Sequence, residues 1–123
     1  MFNGLGMNPG NLSRLSRAKS RSISPENPTG AAGGGARAEG TGSCAARDLG
    51  PGWKISPCFK VAPGESLTLA DIEGAGAIQQ IWMTLRGGDE TFRSAILRFY
   101  WDNQEQPSVE VPAGDFFCHG MGG

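Results

Sequence analysis

The sequence predicts an all-β chain, an antiparallel β-sandwich or barrel preceded by a short helical or irregular N-terminal segment. Three observations predict it. From Trp53 onward, short apolar runs alternate with polar residues at a period of two, the period of a half-buried strand. Turn and loop residues separate the runs: Pro63-Gly64-Glu65, Gly87-Gly88-Asp89-Glu90 and Asp102-Asn103. No long amphipathic stretch of helical period interrupts them.

Taken in order, residues 1–52 form a polar, Gly-rich segment and loop. Leu12, Leu15 and Ala18 recur at helical spacing for a turn or two, with Asn11 placed as N-cap. Ser24-Pro25-Glu26-Asn27-Pro28-Thr29-Gly30 is turn chemistry, since proline fixes φ and glycine accepts positive φ. Residues 30–52, with Gly33-Gly34-Gly35, lack the lysine of a phosphate loop and the leading strand of a dinucleotide fingerprint. They read as a flexible loop. Residues 53–123 read as the first part of a β domain. Strand-like segments run over 53–59, 66–72, 77–86, 94–102 and 108–111. In the clearest, Leu97, Phe99 and Trp101 face one way and Ile96, Arg98 and Tyr100 the other. Phe116-Phe117 opens a further strand, and the ending right after it suggests a domain that continues past Gly123.

Glycine and proline supply 20 and 8 of 123 residues, about 23%, near the composition of low-complexity chains. The 38% hydrophobic content and balanced charge argue against disorder. No run of 18 apolar residues could span a membrane, and the first residues lack the pattern of a secretory signal, so the expected setting is cytoplasmic, with no membrane partner. Three cysteines at wide spacing (Cys44, Cys58, Cys118) are not a disulfide framework, and no metal or cofactor is expected. Cys118 and His119, as neighbours on a strand, would point to opposite faces. Charge is uneven. Residues 1–64 carry eight basic and three acidic side chains, residues 65–123 three basic and nine acidic. Four cations fall between Arg14 and Arg21, but no aromatic is interleaved with them, and no nucleic-acid partner is expected.

Several stretches carry a resemblance. They are Asn11 to Leu15 with Ala18 to Gly30, Ala45 to Gly50 with Gly52-Trp53-Lys54, Leu69 to Gly74 with Gly76 to Trp82, and Leu97 to Asp102 with Glu105 to Glu110 and Gly114 to Phe117. In this order the chain resembles the family once called domain of unknown function 2961, now glycoside hydrolase family 172. The resemblance implies a jelly-roll β-sandwich, here incomplete. It implies a retaining glycoside hydrolase acting on fructofuranosides or arabinofuranosides. It also implies trimer-based homo-oligomers, and catalytic glutamates outside this chain. The alternative is a non-catalytic β module for carbohydrate binding or assembly.

Retaining hydrolysis uses two carboxyl groups about 5–5.5 Å apart. Glu105, Glu110 and Asp115 are the local candidates, Glu110 reading as a solvated strand residue. Asp115 is assigned a site-supporting role, beside the plainer reading of turn former or helix cap. For binding an oligosaccharide or glycoside substrate, Arg17, Arg21 and Ser22 supply donors to sugar hydroxyls. Trp82, on the face opposite Ile81, Met83 and Leu85, supplies a stacking platform.

Overall fold

The computed structural model describes residues 8–11, 13–38, 46, 48–50 and 52–119. The chain divides into two units, Met1–Ala77 and Ile78–Gly123.

In the first unit, a single 3-10 turn spans Pro9–Asn11. Leu12 lies outside the described residues, and Arg14 to Ala18 form no helix, so the short amphipathic helix is not realised there. Three apolar positions are too few to nucleate a helix without a surface to pack on. The best-built part of this unit is the turn around Asn27. Ser24 and Asn27 exchange backbone hydrogen bonds, at 3.2 Å from Ser24 N–H and 2.9 Å from Asn27 N–H. Asn27 is 8% exposed. Its Nδ2 donates to the carbonyls of Ser22 (3.3 Å) and Ala31 (3.0 Å), and its Oδ1 accepts from Ala31 N–H at 3.1 Å. A Cβ at residue 34 would lie 2.5 Å from that same Oδ1, so only glycine fits at Gly34. Glu26 ties this turn to a distant strand-like segment, its Oε1 accepting from Ile55 N–H at 2.7 Å and from Ser56 N–H. Ile55 is the one buried apolar residue described in this unit.

In the second unit, α1 (Asp89–Ser94) leads into β1 (Ile96–Phe99), and β2 (Val109–Pro112) leads into α2 (Ala113–Phe116). The strands pair antiparallel, with Leu97 opposite Val111, Arg98 opposite Glu110 and Phe99 opposite Val109. The expected alternation is present: Leu97 and Phe99 are half-buried while Ile96 and Arg98 are exposed. The hairpin turns at Asp102 and Asn103, both at positive φ (53° and 60°), which short Asx side chains tolerate. Gln104 N–H closes that turn onto Trp101 O at 3.1 Å, and Ser108 N–H returns the chain to Phe99 O at 2.8 Å. Ala113 N–H donates to Ala95 O at 2.8 Å, which seats α2 beside the start of β1. Ala113, 1% exposed, is the centre of this small core.

The jelly-roll β-sandwich expected from the sequence is overturned. Regular structure among the described residues is one two-stranded sheet with two short helices and the 3-10 turn. Residues 53–59, 66–72 and 77–86 form no ladder. Burial does alternate over residues 81–86, so the side-chain pattern is strand-like there. Pattern alone makes no sheet, because a strand also needs a neighbour to take its backbone groups. Two local expectations also change. Asp89 and Glu90, read as loop, form the first turn of α1, where acidic side chains suit the helix dipole. Phe116, read as opening a strand, ends α2.

Candidate functional site

The chemistry-bearing residues fall into two groups, one in each unit. In the first unit, Ser13 to Ser22 are exposed throughout and carry Arg14, Arg17, Lys19 and Arg21. Arg21 Nη1 donates to the Ser20 carbonyl at 2.8 Å, and the Ser22 carbonyl is held by Asn27. Arg21 and Ser22 are thus anchored on a fixed turn. Arg17 lies further along the same exposed segment.

In the second unit, the short hairpin brings charged residues together pairwise. Arg98 and Glu110, directly opposite in register, form an ion pair with Nε to Oε2 at 2.6 Å. That hydrogen bond, and then the carboxylate's charge, raise the Arg98 pKa above its ordinary value. Arg93 on α1 pairs with Asp115 on α2. Both carboxylates are therefore matched to a guanidinium. That arrangement orients side chains and holds elements together, and it differs from the acid and nucleophile pair of a retaining glycosidase.

Trp82 is 75% exposed, so its ring is open to solvent. Its neighbours face elsewhere. Met83 and Leu85 line a cavity of about 330 Å³ with Phe92, Phe117, Cys118 and His119. Ile81 lines a second, shallow groove of about 370 Å³ with Phe99, Trp101, Phe116 and Phe117. The rings there form a chain, Phe99 to Phe116 at 5.3 Å and Phe116 edge-on to Phe117 at 5.0 Å.

Sequence reasoning missed the grouping of Cys118 and His119. They follow a helix instead of lying on a strand, and Cys118 has φ 55°, so both line one cavity. The His119 ring lies tilted against Phe92 with centroids 4.7 Å apart, and the His119 backbone N–H donates to Gly114 O at 2.8 Å. Glu26 and Asn27 were also missed as individual residues. Only the turn was legible, because the Glu26 partners Ile55 and Ser56 stand 29 and 30 positions away. Cys58 and Cys118 are free thiols, and Cys44 lies outside the described residues. Among the described residues, no group of three or more His, Cys, Asp or Glu could hold a metal ion. Among the same residues, no helix is long and apolar enough to cross a membrane.

Residues 55–123, more than half of the chain, match the family model described as GH172 domain-like. This is a domain of the glycoside hydrolase-related class. The chain belongs to the GH172 domain-like family. The resembling stretches at 69–82 and 97–117 lie inside the match, and those at 11–30 and 45–54 lie before it. No curated protein matches the chain.

Proposed function

We propose that the chain is the N-terminal part of a retaining glycoside hydrolase acting on fructofuranosides or arabinofuranosides, and that it works in a homo-trimer-based assembly. Residues 1–52 form its polar lead-in, and residues 53–123 begin its main domain. Family membership carries this reading. Within the chain, Arg17, Arg21 and Ser22 donate hydrogen bonds to sugar hydroxyls, and the exposed Trp82 ring offers a stacking face. Asp115 supports the site through Arg93 instead of acting on the sugar. The acid and nucleophile are supplied from outside this chain.

The test is expression of the complete reading frame of the gene beside residues 1–123 alone. Both are assayed on aryl fructofuranosides and arabinofuranosides, with product anomers followed by NMR. The expected result is turnover with retained configuration by the complete protein and none by the short chain. A folded complete protein that turns over neither class removes the enzymatic reading. A second reading, a non-catalytic carbohydrate-binding or assembly module, is favoured by the capture of Glu110 and Asp115 by arginines. It predicts glycan binding without turnover in the same assay.

A further inference from the structure

Residues 13–22 are exposed without exception, and four of them are cations: Arg14, Arg17, Lys19 and Arg21. Serines alternate with these cations, Ser20 and Ser22 flanking Arg21. The strip therefore presents mainly donors. The strip has no carboxylate to offer. No acidic residue occurs before Glu26, and Glu26 Oε1 is already engaged by the N–H groups of Ile55 and Ser56. Four exposed cations with no carboxylate among them match an anion.

The strip is also anchored. Asn27, itself buried, holds the Ser22 carbonyl, and Glu26 ties the same turn to Ile55. Arg21 and Ser22 thus leave a fixed point, which lowers the ordering cost of binding. No aromatic residue interrupts residues 13–22, so the stacking that single-stranded nucleic acid uses is absent from the strip.

From these observations we infer that residues 14–22 read an anionic group on the carbohydrate, a carboxylate or a phosphoryl group. The inference rests on the carbohydrate reading above and adds an anionic group to the carbohydrate proposed there.

The experiment titrates the full chain by calorimetry with four probes. They are a galacturonic-acid oligosaccharide, an inulin oligosaccharide of equal length, fructose 6-phosphate and a short single-stranded RNA. An acidic sugar is expected to bind at least about tenfold more tightly than the neutral one, as one charge-assisted contact would give. Its affinity should fall between roughly 50 and 200 mM salt, because salt screens exposed charges. The better of the two acidic probes tells carboxylate from phosphoryl. The double variant Arg17→Gln/Arg21→Gln should abolish the preference while leaving the circular dichroism spectrum unchanged. Equal affinity for neutral and acidic sugars, or a preference that survives the double variant, overturns the inference and leaves the carbohydrate reading intact. RNA bound more tightly than either acidic sugar overturns it in favour of a nucleic-acid strip. Binding of no sugar at all overturns both.

Discussion

The Asn27 turn and the α1–β1–β2–α2 hairpin unit are held together by opposite means. Around Asn27 the structure is made by backbone groups. One buried amide side chain satisfies two carbonyls and one N–H, and one carboxylate satisfies two more N–H groups. The hairpin unit instead is made by side chains. Leu97, Phe99, Val109 and Val111 share a half-buried face, and Phe92 packs on Gly114. A polar knot is specific but brittle, because each deleted group leaves several others without partners. An apolar cluster is tolerant, since its contacts are many and individually small.

The largest expected effect breaks the knot. Asn27→Ala removes three hydrogen bonds from a buried position and should destabilise the turn by about 2–3 kcal/mol. Faster hydrogen exchange at the Ala31 amide, with the hairpin amides unchanged, is the readout. Loss of protection in both regions would show that the two are one cooperative unit. Next, Gly114→Ala tests the hairpin side. A Cβ there would stand 3.1 Å from the Phe92 carbonyl oxygen and 3.2 Å from its Cβ. The helices must part, at a cost of about 1–3 kcal/mol. A thermal shift beside an unaltered Ala31 exchange rate would keep the two regions distinct.

How much of this was legible in the sequence follows the same division. The hairpin was readable because its signals are local. The alternation over residues 96–99, the Asp102-Asn103 turn and the second strand before Pro112 all lie within a few residues of one another. The Asn27 turn was readable as a turn, but its energetics were not, since Glu26 finds its partners across the glycine-rich connection. The sandwich was over-read from alternation at residues 66–72 and 77–86. Burial alternates only over residues 81–86, residues 66–72 being exposed throughout, and no neighbouring strand pairs with either among the described residues. Of the candidate site residues, Arg21 and Ser22 meet on one anchored turn. Trp82 and Asp115 belong to the other unit. Asp115 has an unforeseen partner because Arg93 reaches it from α1, a helix too short to leave an amphipathic pattern in the sequence.

Smaller effects sharpen the comparison further. Glu26→Gln keeps an acceptor for Ile55 and Ser56 but loses its charge, and should cost about 1 kcal/mol. Exchange at the Ile55 amide reads it, and Glu26→Ala should accelerate that exchange more. The smallest effect belongs to Arg98→Met, which removes an exposed cross-strand ion pair and should barely move the melting temperature. The raised pKa of Arg98 agrees in sign. Stability drawn from its charge is complete below the ordinary arginine range and is lost only as pH climbs through the raised value. Hairpin melting should therefore show no Arg98-linked change between neutral and mildly alkaline pH.

The tie from Glu26 to Ile55 and the bond from Gly52 N–H to the Ala36 carbonyl, at 3.2 Å, close a ring of chain at its base. Closing such a ring costs entropy that grows only logarithmically with its length, about 0.6 kcal/mol for each doubling. By that scaling, a change of length between Ala36 and Gly52 adds little to the cost of closing the base. A spacer or a fluorescent reporter inserted there should leave the Asn27 turn and the hairpin as they are.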